Sequence, residues 1–310
     1  MLTYEFIDPE DEIGTDDFLF VEKFLKSTER TQIGWHYITD ITWIYSKVKH
    51  WSRALRIIDA GGGTGPLQFL LAELGFDVVN VDMTLTEAPK AYRRRYGIRL
   101  KRLDSHRSTA YGAYIRSAFR RSLLDRTKNM IRQNSFYQSW KSMKYDHVHD
   151  NWRTRAGLAG ERRGKIEWVQ GNLCRLPEIA SQTFDAVVSL SALEHIPWGD
   201  LDSAVQEIRR ILKPDAFWAV TTSATERPET WFHEPAQAYC FSVADLQRIF
   251  GAHAGRNQNP EAILEKYRRC AYLRNHVAEF YKRSGRFGMP WGIWDPTYIP
   301  IGLTLESKRE

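Results

Sequence analysis

Two segments near the start of the chain, residues 17–27 (DFLFVEKFLKS) and 34–49 (GWHYITDITWIYSKVK), carry apolar side chains at helical spacing. In the second, Trp35, Ile38, Ile41 or Thr42 and Tyr45 fall on one stripe, so two helices are expected ahead of the main fold. Arg56-Ile-Ile-Asp59 reads as a short buried strand running into AGGGTG, and residues 66–74 (PLQFLLAEL) as a helix that Pro66 opens and Gly75 closes. Residues 77–82 (DVVNVD) predict a second strand, which completes a strand–turn–helix–strand unit within about 30 residues. The rhythm resumes with strands at 166–170, 184–190 and 216–222 and a helix over 201–212. Helices near 242–250 and 261–283 and a closing strand at 299–306 follow. Strands alternating with helices imply a mainly parallel sheet covered on both faces.

Between the second and third strands lie roughly 80 residues, where a parallel crossover usually needs about a dozen. That excess predicts an insertion. Composition shows what it holds: the chain of 310 residues has 44 Lys+Arg against 38 Asp+Glu, a net charge of +6. Residues 87–164 hold 20 basic and 6 acidic side chains, so the rest of the chain is net acidic. Within the insertion, Tyr111, Tyr114, Ile115, Ala118 and Leu123 share a helical face while Arg116, Arg120 and Arg121 lie off it, so a packed helical segment is expected. Three domains are therefore read: a helical N-terminal cap (1–52), a core (53–86 with 165–310) and a basic helical insertion (87–164) serving as a lid or partner surface. The three cysteines form no paired motif, and neither a leader nor a membrane span is visible, which places the chain in the cytoplasm.

The sharpest chemical signal is Asp59-Ala-Gly61-Gly62-Gly63-Thr64-Gly65. Glycines there allow a tight strand-to-helix turn and let a ligand touch the main chain. A dinucleotide fingerprint would want glycine at position 66, where Pro66 stands, and Asp59 would repel a pyrophosphate; no Lys-Ser/Thr pair marks a P-loop. An acidic strand end beside a glycine turn suits a ligand with a cationic group and no phosphate. S-adenosylmethionine has an ammonium and a sulfonium, and Asp82, ending the second strand, stands where a carboxylate accepts from both ribose hydroxyls.

With these motifs the chain resembles the class I S-adenosylmethionine-dependent methyltransferases, in the type 11 branch that acts on small molecules and glycans. The matching segments are IIDAGGGTG (57–65), VVNVD (78–82), QGNLCRLP (170–177), FDAVVSLSALEHI (184–196) and IRRILKPDAFWAVTT (208–222). The resemblance implies a Rossmann-like three-layer sandwich on a seven-stranded sheet whose last strand is antiparallel. It also implies a cofactor site of Asp59, Gly61, Gly62, Gly63, Gly65, Asp82, Met83, Asn172, Leu173 and Ser189. Asn172 stands where the family usually has an acid near the adenine amino group, and its amide oxygen can still accept that hydrogen bond.

Methyl transfer asks an enzyme for alignment, desolvation and, with a hydroxyl acceptor, a base. Glu194-His195 follows the fourth strand of the core at the ligand-binding edge, and His195 is the leading candidate base. His36 and His233, each set among aromatics, are further candidates. Ser191 stands where related ubiquinone-pathway enzymes carry a metal-site acid, so no metal is expected. The tetrapeptide typical of amino methyltransferases is replaced by Ser189-Leu-Ser-Ala, which favours an oxygen or carbon acceptor. The basic insertion suits an anionic small molecule or glycan, phosphorylated or lipid-linked, bound through arginine forks. RNA as acceptor, or a non-catalytic binding subunit on the same fold, are the other readings.

Overall fold

The computed structural model describes residues 1–28, 33–85, 88, 90–104, 146–256, 258–276, 289 and 293–305. The amphipathic stretch at 110–124 lies outside the described residues. In chain order the elements are β1 (Thr3–Phe6), α1 (Pro9–Glu12), α2 (Asp16–Ser27), α3 (Tyr37–Val48), β2 (Arg56–Ala60), α4 (Leu67–Glu73) and β3 (Asp77–Asp82). Then come α5 (Lys90–Tyr96), β4 (Arg99–Arg102), a helix α6 over 146–155, β5 (Ile166–Gln170), β6 (Phe184–Leu190), α7 (Leu201–Ile211) and β7 (Leu212–Ala224). A hairpin of β8 (Trp231–His233) and β9 (Ala238–Cys240) precedes α8 (Val243–Phe250), β10 (His253–Ala254), α9 (Pro260–Arg269), α10 (Ala271–His276) and β11 (Ile299–Leu305).

The main sheet runs β10-β1-β11-β7-β6-β2-β3-β5-β4. Strands β4, β5, β3, β2, β6 and β7 are mutually parallel, and β11 enters antiparallel beside β7. This is the Rossmann-like α/β architecture expected, with the closing strand antiparallel. Among the described residues the sheet has nine strands where seven were expected, because short strands join its edges. One is β4, RLKR, whose four residues read as a charge run yet pair with β5; a charged strand is well suited to a sheet edge. Another is β1, set in an acidic segment, which pairs antiparallel with β11 and buries Tyr4 and Phe6. The long helix read at 261–283 is broken at Cys270 into α9 and α10, and residues 277–283 lie outside the described ones.

Two packing features position the site. Chain order runs outward in both directions from β2, toward β3 on one side and β6 on the other, so their loops diverge and leave a crevice at the carboxyl ends of these strands. Helix α3 covers the sheet near β6, β7 and β11, and is buried from Ile38 through Ile44. It can lie close because β11 offers Gly302, where a Cβ would fall on the Trp43 ring. The start of α3 is thereby carried over the carboxyl end of β6.

Candidate active site

The turn after β2 is held in shape by its own backbone. Gly61 and Gly63 have φ of +76° and +48°, a region that costs any side-chain-bearing residue strain. Gly62 has an ordinary φ, but a Cβ there would fall on the Asp59 carboxylate. The Gly61 amide donates to the Val81 carbonyl at 2.8 Å, tying the turn to β3. The Gly63 carbonyl accepts from Asn80 Nδ2 at 2.7 Å and Gln68 Nε2 at 3.0 Å, and Gln68 Oε1 accepts from Trp168 Nε1 at 2.6 Å. Three buried side chains from β3, α4 and β5 therefore frame one loop. None of them was singled out in the sequence, where a polar residue inside an apolar run shows no partner.

Asp59 is buried and neither carboxylate oxygen has a hydrogen-bond partner in the protein. Burial, reinforced by the nearby Asp82, pushes its carboxyl up to about 8. An orphaned buried carboxylate is costly unless a ligand completes it. Asp82 is half-buried at the end of β3; its Oδ1 accepts from the Thr84 amide and hydroxyl, both at 2.6 Å, while Oδ2 lies 3.5 Å from where a Cβ of Gly63 would stand. The Met83 carbonyl accepts from Gln170 Nε2 at 3.3 Å. These groups fit S-adenosylmethionine: an unpaired carboxylate for its ammonium, a second for its ribose diol, and a glycine cradle between them.

The other cofactor-side residues are more committed. Asn172 Oδ1 accepts from the Cys174 amide at 3.0 Å, so one of its lone pairs already closes a local turn. Leu173 is buried beside Gly61, and Ser189 donates to the Ala60 carbonyl at 2.7 Å, fastening β6 to the end of β2.

Beyond β6 the chain builds a polar cluster beneath α3. Ser191 has φ of +44° and its amide donates to the Thr221 carbonyl at 3.1 Å. Its hydroxyl donates to Asp40 Oδ2 at 2.8 Å, and His36 Nδ1 lies 2.9 Å from the same oxygen. Asp40 is buried, with Oδ1 unpartnered. Glu194 is also buried and accepts from Thr222 Oγ1 at 2.9 Å and Ser223 Oγ at 3.3 Å. Burial pushes its carboxyl up, against the pull of His195, those hydrogen bonds and His36. Burial, with Glu194 and Asp40 nearby, also pushes the Tyr37 phenol up.

The candidate histidines divide. His36 and His233 are buried and both approach the Tyr298 ring, at 5.5 and 5.4 Å between centroids. His195 is exposed, and its Nδ1 bonds the Gln237 carbonyl of the hairpin loop at 2.9 Å. A carbonyl only accepts, so that bond puts a proton on Nδ1 and, in the neutral ring, the lone pair on Nε2. The structure thus buries His36, Glu194 and His233 and leaves His195 exposed. Asp40 and Ser191 are the site residues to which the sequence assigned no role. The four-residue spacing from His36 to Asp40 on a helix was the available signal.

Residues 143–220 match the family model described as a methyltransferase domain. That match spans about a quarter of the chain, and the strand order is that of a Rossmann-like α/β fold. Among solved structures, the chain is similar to the 1,6-didemethyltoxoflavin-N1-methyltransferase of Burkholderia thailandensis, solved with 1,6-didemethyltoxoflavin and S-adenosylhomocysteine. The identity is 13%, with 94% of this chain and 90% of that chain covered, at a TM-score of 0.44. It is also similar to phosphoethanolamine N-methyltransferase 2 of Haemonchus contortus, solved with S-adenosylmethionine. There the identity is 15%, covering 98% of this chain and 60% of that one, at a TM-score of 0.44. No curated protein matches the chain. Among the described residues, no helix is long and apolar enough to cross a membrane.

Proposed function

We propose that this protein binds S-adenosylmethionine across the crevice between β2 and β6 and transfers its methyl group to a hydroxyl or carbon of a small-molecule or glycan acceptor. The observation that carries the reading is the buried Asp59 carboxylate, unpartnered on both oxygens beside a glycine turn, with Asp82 ending the next strand. The cofactor brings a methyl carbon already activated by sulfonium. The protein's own work is placement. Asp59 takes the ammonium, Asp82 takes the ribose hydroxyls through Oδ2, and the buried ceiling of α3 excludes water from the transfer.

Calorimetry with S-adenosylmethionine and S-adenosylhomocysteine tests this. Wild type should bind both, and Asp82→Ala should weaken them about 10- to 100-fold, since a charge-assisted hydrogen bond contributes about 1.5–3 kcal/mol. Near-wild-type affinity in that variant would refute the ribose assignment. Absence of any binding by wild type would instead favour a methyltransferase fold used as a non-catalytic binding subunit.

A further inference from the structure

Resting on that reading, we infer that His36 is the general base of the transfer, that Asp40 held by Ser191 is its positioning residue, and that the methylated group is a hydroxyl.

Adjacency comes first. Residues 189, 191 and 192 form one short stretch in which Ser189 fastens to Ala60 and Ser191 holds Asp40. The third residue, Ala192, packs against Gly61 so closely that a Cβ on the glycine would stand 2.6 Å from its own. Asp40 is therefore anchored one residue away from the contact with the cofactor turn, although it belongs to a helix from the other end of the chain.

Ring orientation follows. The Asp40 carboxylate on Nδ1 draws the ring proton there, which leaves the lone pair of neutral His36 on Nε2. Trp35, Tyr37 and Tyr298 stand edge-on to the imidazole at 4.9–5.5 Å between centroids and restrict its rotation. With Ser191 and His36 both on Oδ2, Asp40 keeps its other oxygen, the buried Oδ1, without a hydrogen-bond partner. That oxygen is an acceptor awaiting a donor group, as a protic substrate would supply.

In the reaction, the acceptor's O–H proton passes to His36 Nε2 as an oxygen lone pair forms the new bond to the methyl carbon. The carbon–sulfur bond breaks with its electrons remaining on sulfur, giving S-adenosylhomocysteine, and the imidazolium then returns its proton to water. Asp40 keeps the ring in the competent tautomer and offsets the charge that develops on it. His195, exposed and tied to the hairpin, is left outside this exchange.

Two measurements test the inference. Long-range nitrogen–proton NMR of histidine-labelled protein, with the His36 signal assigned through H36Q, should show the proton on Nδ1 and a bare Nε2. In D40N that tautomer preference should be lost. A wild-type ring protonated only on Nε2 overturns the proposal, whatever the acceptor. The second is single-turnover transfer from methyl-labelled S-adenosylmethionine to a panel of phenols, sugars and nucleotide sugars, with simple amines alongside. H36Q should lose at least 100-fold and D40N at least 10-fold, while S-adenosylhomocysteine affinity stays within about threefold of wild type. H253Q, at a distant sheet edge, should transfer normally. Added imidazole should restore part of the activity of H36G. Loss of transfer in H195Q with H36Q still active, label confined to amines, or no label on any hydroxyl by a protein that binds the cofactor, each overturns it. Failure to bind S-adenosylmethionine at all sinks the proposed function instead, and calorimetry on the wild type separates the two.

Discussion

Asp59 combines two roles at the scale of a single residue: it is the least satisfied group in the site and the one best matched to a cation. Its carboxyl, ordinarily near 3.8, is pushed up to about 8 by burial and by Asp82, so the empty protein at pH 7 carries it mostly protonated. An ammonium ligand needs the carboxylate. Binding S-adenosylmethionine at pH 7 should therefore release a proton, with affinity rising as pH increases and levelling off above about 8. Calorimetry in buffers of different ionisation heat measures the release; none at pH 7 would show that Asp59 does not meet the ammonium. The stability effect has the opposite sign from a salt-bridged acid. The folded state holds this proton more tightly than the unfolded chain, so the group's contribution to stability is lost as pH climbs from about 4 through 8. Asp59→Asn should remove that loss, raising the ligand-free Tm at pH 8 while abolishing tight cofactor binding.

The loop between β2 and α4 works as an element because its neighbours finish it. Its glycine spacing and the proline after it are local signals, readable without a fold. The frame of Asn80, Gln68 and Trp168 comes from three other elements and has no local signature. Asn80→Leu should leave the Gly63 carbonyl with one donor fewer in a buried setting, at a cost of about 1–3 kcal/mol. The expected outcome is a lower Tm together with cofactor binding weakened by about tenfold. A variant that loses stability but binds normally would show that the frame supports folding alone. The edge strands make a similar point: β4 is short and mostly charged, β1 is too short for its two-residue alternation to stand out, and both exist because β5 and β11 present partners.

Across the whole molecule, the basic segment is fastened to the core by buried charge. Glu73 on α4 accepts from Arg95 Nε at 2.5 Å and Tyr96 at 2.8 Å, both on α5, and from Arg153 Nη1 at 2.9 Å on α6. Burial alone would raise its carboxyl, but these donors hold it below the usual range, and burial with Arg95 beside it pushes His149 down to about 4. Glu73→Ala would take a carboxylate from two buried guanidinium groups, leaving Arg95 with Asp146 and Asp150 and Arg153 with backbone carbonyls, for which about 1–3 kcal/mol of destabilisation is expected. Denaturant unfolding at pH 7 measures this, and a change under 1 kcal/mol would mean that the network is not structurally important. Stability from Glu73 is present above the unfolded carboxyl's titration and is lost on acidification through its lowered value. The sequence by itself determined the order of the central strands and helices, the glycine turn and the two acids at the ends of β2 and β3. Each follows from hydrophobic period, backbone freedom or a residue's position along its own strand. Only the tertiary structure decided which of the candidate histidines are buried and which is exposed. Asp40 and Ser191 are 151 residues apart, and their meeting depends on how α3 packs across the sheet, including the space left at Gly302. Side-chain pairing between distant segments is set by packing geometry, which local spacing does not encode.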